Sequence, residues 1–169
     1  MEYSFRRAEL TDLPDIWLIL QKAILRRKED GSNQWQDGYP NPEVIQTDIE
    51  KRAGFVMTEI DTIVGYCAIF INDEPAYAAL EGKWLTEGDF AVFHRVAISE
   101  DYIGMGLSKT MLSFIETFAI ENNLPSLKAD TNFDNPAMQR IFEKSGYIYC
   151  GEVFFRGNSR MAYEKVIKN

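Results

Sequence analysis

The feature that most constrains this fold is an apolar, strand-like stretch that leads through a glycine-containing loop into an amphipathic helix. Phe90 to Ile98 is nearly continuous in apolar residues, which is typical of a strand covered on both faces. Ser99 to Gly106 is rich in turn formers, and Leu107 to Asn122 then has apolar residues at helical spacing. The apolar stripe comprises Leu107, Met111, Leu112, Ile115, Phe118 and Ala119. We therefore predict a buried strand joined by a tight loop to a long helix.

The flanking sequence predicts further strands and helices. They are a strand over 3–7, a helix with Thr11 as N-cap, a helix opened by Asn41 and Pro42, strands over 54–60 and 63–71 with a turn at Asp61 and Thr62, a strand over 126–130, a helix over 136–144 stopped by Gly146, and strands near 147–155 and 160–166. The stretch 73–89 is polar and long for a hairpin connection. This order predicts an α+β fold, with a mixed, mostly antiparallel sheet flanked by helices on both faces. No linker or repeat divides residues 1–169, which we expect to form a single domain.

The charge balance argues against several classes of partner. Eighteen Lys and Arg residues oppose 26 Asp and Glu residues, giving a net charge of −8 at pH 7. This charge opposes the counterion release that drives nucleic-acid binding, so we expect no nucleic-acid partner. No run approaches the roughly 18 apolar residues of a membrane span. The first thirty residues carry several acids and no secretory signal pattern, so we expect no membrane partner.

Cysteine and histidine usage argues against a metal site. Cys67 and Cys150 lie far apart, and neither forms a CxxC pair or a cluster with His94, the sole histidine. Both cysteines are most simply buried apolar side chains of a protein in the reducing cytoplasm. A covalent intermediate on either cysteine would need a neighbouring base, and the sequence shows none beside Cys67 or Cys150.

The loop before the long helix has the character of a phosphate site. A strand that runs through Gly104 and Gly106 into a helix points several unpaired N–H groups at one spot. Glycine there permits positive φ and close approach of an anion. The P-loop signature requires Gly-Lys-Ser/Thr, which Gly106-Leu107-Ser108 does not supply, and the dinucleotide fingerprint requires a glycine where Lys109 stands. A tight strand-to-helix turn without a ligand is the alternative.

The same segment resembles the pyrophosphate loop of the GNAT family of N-acetyltransferases, which reads Gln/Arg-x-x-Gly-x-Gly/Ala. Downstream, Asn135-x-Ala137 and the run from Phe142 to Gly146-Tyr147 resemble the Asn-x-x-Ala and Tyr-x-x-x-Gly-Phe region of that family, with the alanine shifted by one residue. The order of elements is also similar along nearly the whole chain. The resemblance implies an acyl-CoA N-acyltransferase fold with acetyl-CoA as cofactor. It implies cofactor-binding positions at Val96, Ala97, Ile98, Ile103, Gly104, Met105, Gly106, Leu107, Ser108, Lys109, Asn132 and Asn135.

Two positions depart from the family pattern. Asp101 stands where the family has Gln or Arg, so it adds negative charge near a pyrophosphate. Phe142 stands where many members have the tyrosine that protonates the leaving thiolate, and it has no hydroxyl. Tyr102 and Tyr147 remain open as alternative donors. Asn135 has a structural explanation as well, because it would cap the helix that begins at Pro136.

His94 is the first candidate for the general base, since imidazole suits proton removal near neutral pH. In a regular strand, alternation would place His94 on one face with Val96 and Ile98, which should line the cofactor groove, but a bulge would break that relation. A hydrogen-bonded core histidine is the alternative. Near Val96 we expect the strand N–H that stabilises the oxyanion.

Acidic residues provide further candidates. Asp89 and Glu87, at the entrance of the strand that carries His94, are alternative bases, although acids in such places are commonly just solvated. Asp130, at the end of the next strand, is a candidate for substrate binding.

These observations lead to a main hypothesis and two rivals. The main hypothesis is an acetyl-CoA-dependent N-acetyltransferase that moves an acetyl group directly, in a ternary complex, to a primary amine of a small molecule or a protein. Its acidic surface favours a cationic acceptor. The first rival is a catalytically silent acyl-CoA-binding or sensor module on the same fold, suggested by Asp101 and Phe142. The second is an interaction domain that binds no coenzyme A. A homodimer is compatible with each.

Overall fold

The computed structural model describes residues 2–168, and over that range it contains eight strands and four α-helices. The strands are β1 (Ser4–Arg7), β2 (Gly54–Glu59), β3 (Thr62–Ile71), β4 (Glu81–Gly82), β5 (Ala91–Ile98), β6 (Ser126–Thr131), β7 (Ile148–Phe155) and β8 (Asn158–Val166). The helices are α1 (Leu13–Glu29), α2 (Pro42–Glu50), α3 (Leu107–Glu121) and α4 (Pro136–Lys144). Within residues 2–168 no helix has the length and apolar character needed to cross a membrane. The elements form the predicted α+β class.

The chain divides into two compact units. The first runs to Ile69 and resumes over Arg95–Met111. Its strands lie in the order β1-β2-β3, and both of these pairings are antiparallel. Its core is made of apolar residues from α1, α2 and the strands. Their spacing along each helix or strand places them on one face of that element. This core contains Ile16, Leu20, Ala23, Ile45, Ile49, Val56, Tyr66 and Ala97.

The second unit comprises Phe70–His94 and the chain from Leu112 onward. Its strands lie in the order β5-β6-β8-β7-β4, where β5 belongs to this unit only as far as His94. Strand β5 pairs with β6 in parallel at two positions, Ala91 with Leu127 and Val92 with Lys128. The other pairings in this unit are antiparallel. Beyond Lys128, β6 pairs only with β8 among the described residues. The other edge of its last residues, 129–131, therefore has no strand partner there.

Local signals correctly predicted where two helices begin and one ends. Asn41 caps α2, because its side chain accepts a hydrogen bond from the Val44 N–H at 2.9 Å. Asn135 caps α4 in the same way, accepting from the Met138 N–H at 3.2 Å. Gly146 follows the end of α4 with φ +92°, as expected of a glycine just beyond a helix.

Thr11 is not the N-cap that the sequence predicted. It lies inside a 3-10 turn, Leu10–Asp12, and α1 begins after it, at Leu13. The Asp12 carboxylate accepts the Glu9 N–H at 2.7 Å and pairs with the Arg6 guanidinium at 2.8 Å. Glu9 and Asp12 thus form a reciprocal capping box around the 3-10 turn, in which each side chain accepts the backbone N–H of the other residue, and the threonine hydroxyl is not the cap.

Two connections also differ from expectation. The turn between β2 and β3 falls at Ile60 and Asp61, since Thr62 already pairs with Glu59. The polar stretch 73–89 is not featureless, because it holds a 3-10 turn, Pro75–Ala79, and the short strand β4. Strand β4 was missed because two residues are too few to show an alternating pattern.

The contact between β4 and β7 depends on glycine. Gly82 has φ +150°, and a Cβ placed on it would lie 2.1 Å from the Cys150 carbonyl oxygen. We predict that Gly82→Ala lowers the free energy of unfolding by about 1–3 kcal/mol, since the backbone must move or remain strained. Urea denaturation followed by circular dichroism measures the change.

Gly88→Ala is the matched control, because a Cβ at Gly88 would meet no atom within 4 Å. This variant should stay within about 0.5 kcal/mol of the parent protein. Equal stability of the two variants would contradict the close approach of β4 to β7.

Candidate active site

The loop before α3 has the geometry that the sequence predicted. Gly104 has φ +84° and Gly106 has φ +75°, and α3 starts immediately afterwards at Leu107. A Cβ on either glycine would meet no atom within 4 Å, so the backbone conformation rather than lack of room requires glycine. The first N–H groups of α3 have no partner within the helix and carry the positive end of its dipole. Together these features fit an anion.

The remaining predicted cofactor residues fall into three groups. Ile103, Met105 and Lys109 are exposed around the loop, Ser108 is half-buried in the first turn of α3, and Leu107 is buried and anchors the loop. Val96, Ala97 and Ile98 are buried in β5. Asn132 and Asn135, in the second unit, are half-buried.

Charges around the loop partly cancel. Glu100 pairs with Lys22 at 3.1 Å. Asp101 is exposed, so its negative charge is screened by solvent. The departure from the family pattern at Asp101 therefore weakens the loop less than a buried carboxylate would.

Strand β5 runs continuously from Ala91 to Ile98, but its backbone is irregular at Arg95, which has φ +57°. The guanidinium of Arg95 donates to both carboxylate oxygens of Asp48, at 2.9 and 2.6 Å, and to the hydroxyl of Tyr39. Regular alternation is lost at this residue, so a shared face for His94 with Val96 and Ile98 does not follow. The sequence had no signal for this irregularity, because it depends on a partner 47 residues away.

His94 lies in a polar and aromatic environment within the second unit. Its Nε2 is 2.7 Å from Oε2 of Glu74, a hydrogen-bonding distance, and both side chains are about 15% exposed. Its Nδ1 is 3.9 Å from Oδ2 of Asp130. The rings of Phe70, Tyr77 and Phe155 lie around it, with centroids 6.2 to 6.3 Å away.

Glu74 was missed by the sequence analysis. Its only sequence signal is its place before Pro75, which indicates a helix cap, and its Oε1 does accept the Ala76 N–H at 3.3 Å. This contact and the His94 contact hold the two carboxylate oxygens in place. Glu74 and His94 therefore form one carboxylate–imidazole pair.

Asp130 and the two alternative bases have different surroundings. Asp130 pairs with Arg160 at 2.7 Å and accepts a hydrogen bond from the Tyr77 hydroxyl at 2.5 Å. Asp89 is exposed and accepts from the Asn72 amide at 3.1 Å, and Glu87 is exposed as well. Thus His94 is accompanied by two held carboxylates, whereas Asp89 and Glu87 lie in solvent.

None of the positions considered for protonating the leaving thiolate is well suited to that role. Phe142, which stands where many family members have a tyrosine, is buried, and the centres of the Tyr147 and Tyr163 rings lie 5.3 and 5.0 Å from that of its ring. Burial raises the pKa of Tyr147, and its hydroxyl has no hydrogen-bond partner among the described residues. The Tyr102 hydroxyl donates to Glu59 at 2.9 Å, and this hydrogen bond raises the pKa of Tyr102.

The cysteines are equally unsuited to act as nucleophiles. Both are buried free thiols. Burial raises the pKa of Cys150 to about 11 and raises the pKa of Cys67 further. Among residues 2–168, no group of three or more His, Cys, Asp or Glu side chains is arranged to hold a metal ion.

The unpaired Tyr147 hydroxyl leads to a stability prediction. Tyr147→Phe should raise the free energy of unfolding by about 1–2 kcal/mol, because it removes a buried hydroxyl that makes no hydrogen bond. Tyr77→Phe is the control, since its hydroxyl is bonded to Asp130 and its loss should destabilise the protein. Chemical denaturation measures both. A loss of stability in Tyr147→Phe would show that this hydroxyl is paired.

Comparison with known proteins identifies the family of the chain. Residues 20–147 match the model of the acetyltransferase (GNAT) family. The structure is similar to that of a GNAT-family acetyltransferase from Streptococcus agalactiae, with TM-score 0.90, 35% identity and coverage of 99% of this chain and 96% of that chain. A GNAT-family acetyltransferase from Listeria monocytogenes gives TM-score 0.79 at 25% identity, with coverage of 98% and 95%.

A more distant similarity concerns a protein with a bound ligand. The structure of the acetyltransferase yncA from Salmonella typhimurium, with its cofactor acetyl-CoA, gives TM-score 0.69 at 16% identity, covering 99% of this chain and 95% of that chain. At this identity the similarity concerns the fold alone. No curated protein sequence matches the chain.

The matches agree with the chemistry of the loop. Two positive-φ glycines beside open space at a helix N-terminus fit a pyrophosphate, so the residues present suit the coenzyme that this family uses. The predicted fold class, the enzyme class and the cofactor are confirmed, because members of the family are acetyltransferases that use acetyl-CoA. The chain belongs to the acetyltransferase (GNAT) family.

Proposed function

We propose that this protein transfers the acetyl group of acetyl-CoA directly, in a ternary complex, to a primary amine of a small molecule or a protein. The observation that carries the proposal is the loop from Ile103 to Lys109 in a chain of this family. When bound there, acetyl-CoA supplies an acetyl thioester. The loop N–H groups would hold its pyrophosphate, and Asn135 would bind the pantetheine arm.

The acceptor must lose a proton before it can attack. A lysine-like amine has a pKa of about 10.4, so its neutral form costs about 4.6 kcal/mol at pH 7. His94 is the proposed base, directly or through a water, and its contact with Glu74 supports this role. Asp89 is the alternative base, with an exposed carboxylate that is less well positioned.

The remaining steps require little from acidic side chains. The N–H near Val96 is the proposed donor to the developing oxyanion. The leaving thiol has a pKa near 8.5, so it can depart without a strong acid, and the absence of a hydroxyl at Phe142 does not prevent the reaction.

The proposal includes a cytoplasmic location, which fits the free Cys67 and Cys150. The single domain over 1–169 and a homodimer stay predictions.

Turnover distinguishes this function from a silent acyl-CoA-binding module. Thiol release from acetyl-CoA, measured with a panel of primary amines, should occur above the rate of hydrolysis. Binding of acetyl-CoA without release for any amine would support the silent module. Absence of any ligand-induced thermal shift would exclude both.

The cofactor loop is tested by Gly106→Val. A β-branched side chain at φ +75° is strained and fills the space that an anion would occupy, so acetyl-CoA affinity should fall at least about tenfold. Isothermal titration calorimetry on the folded variant measures it. Gly31→Val is the matched control, because Gly31 has φ +81° and equally open surroundings. Unchanged affinity in Gly106→Val would refute the assigned loop.

The base is tested by His94→Gln. A protonated imidazole cannot accept the proton, so the pH profile of kcat/KM should have an acid limb. His94→Gln should flatten this acid limb and lower the rate by about 10² or more, while Asp89→Asn keeps the profile of the parent protein. If His94→Gln instead lowers Tm and leaves the shape of the profile unchanged, His94 is a packing residue, and Asp89 and Glu87 become the candidates for the same measurement.

A further inference from the structure

Residues between Asn72 and Phe90, together with Lys128, line an open cavity of about 610 Å³ within the second unit. Volumes of this order are typical of sites for small molecules. The segment is closed at its base, since the Asn72 N–H donates to the Phe90 carbonyl at 3.0 Å and the Phe90 N–H donates to the Asn72 side chain at 2.9 Å. These contacts preform the cavity.

A buried acid fixes another wall of the cavity. Glu164 accepts hydrogen bonds from the Leu85 N–H at 2.7 Å, from the Thr86 hydroxyl, and from the Ser126 hydroxyl at 2.6 Å. Next to these residues, the Trp84 indole donates to the Tyr77 carbonyl at 3.0 Å. The aromatic part of the wall is therefore held in place rather than mobile in solvent.

The charges that line the cavity favour a cation. Asp73, Glu74 and Glu87 contribute carboxylates, against the ammonium groups of Lys83 and Lys128. The Lys128 ammonium lies 4.3 Å from the centre of the Trp84 ring, whose face compensates part of its charge.

Glu74 connects the cavity to the proposed catalytic residue. It lines the cavity and lies 2.7 Å from Nε2 of His94. Glu87 and Asp73 also line the cavity, but both are exposed. If an ammonium group binds Glu74, only the Glu74 carboxylate separates it from the His94 imidazole, which is the proposed base.

We infer that this cavity is the acceptor site and that it binds a small primary amine with an apolar alkyl or aryl body. The ammonium group binds the Glu74 carboxylate, and the apolar body packs against Trp84, Tyr77 and Leu80. The ammonium nitrogen gives one proton to the pair of Glu74 and His94 and becomes the neutral amine, with a free electron pair, that the proposed transfer requires. The term acceptor rests on the proposed function, whereas the ammonium site itself does not.

Nuclear magnetic resonance tests the site without acetyl-CoA. The Trp84 indole N–H resonance should shift on titration with 2-phenylethylamine, and 2-phenylethanol should bind at least about tenfold more weakly, because it lacks the charge. Glu74→Gln should weaken amine binding at least about tenfold. Glu121→Gln is the matched control on an exposed helix residue and should bind as the parent protein does.

A second variant fills the cavity with a side chain and leaves Glu74 and His94 unchanged. Gly88→Phe adds bulk at a lining position where a Cβ meets no atom within 4 Å, so the variant should fold and lose amine binding. Each of three results would overturn the site. They are a Trp84 resonance that does not shift when the amine is added, equal shifts with the amine and the alcohol, and unchanged amine binding in Glu74→Gln.

Turnover separates this inference from the proposed function. Unchanged KM for amines in Gly88→Phe and Glu74→Gln, with thiol release intact, would overturn the acceptor site and leave the acetyltransferase in place. Glu74-dependent amine binding without thiol release from any amine would support the ammonium site while the proposed function fails.

Discussion

The buried ion pair between Arg95 and Asp48 is the interaction on which the middle of the first unit depends. Both side chains are less than a tenth exposed, so leaving either charge without the other would be strongly destabilising. Tyr66 adds a hydrogen bond to Asp48 at 2.7 Å, and burial together with this charge raises the pKa of Tyr66. The pair ties α2 to β5 at the residue where β5 has a positive φ. The irregular backbone is thus held by a satisfied network rather than by local preference.

A second polar network surrounds His94 in the other unit. Glu74 and Asp130 are both held near the imidazole, and two acids at one site repel each other unless donors compensate them. Arg160 and the Tyr77 hydroxyl compensate Asp130, while Glu74 is joined to His94 and to the Ala76 N–H. This division leaves Asp130 as a fixed charge and Glu74 as the acid that also reaches the cavity. Burial and the nearby Asp130 charge raise the pKa of Tyr77, which keeps its hydroxyl a donor.

The cofactor loop and the proposed acceptor site are built by different means. The loop depends on consecutive residues, since Gly104, Gly106 and the first turn of α3 follow one another in the chain. The cavity depends on contacts between distant residues, such as Glu164 with Leu85 and Lys128 with Trp84. A family resemblance therefore identifies the first readily, whereas the second can vary among proteins that share the fold.

By itself, the sequence determined the features that arise from neighbouring residues. Asn41 and Asn135 cap their helices, Gly146 ends α4, and the glycines before α3 adopt positive φ, because each interaction spans four residues or fewer. Tertiary structure decided the rest. The positive φ at Arg95, the pairing of His94 with Glu74, and the end of the β5–β6 pairing at Lys128 depend on partners 20 or more residues apart. Periodicity cannot predict such contacts, since it reports which face of an element is apolar and not which polar side chains meet there.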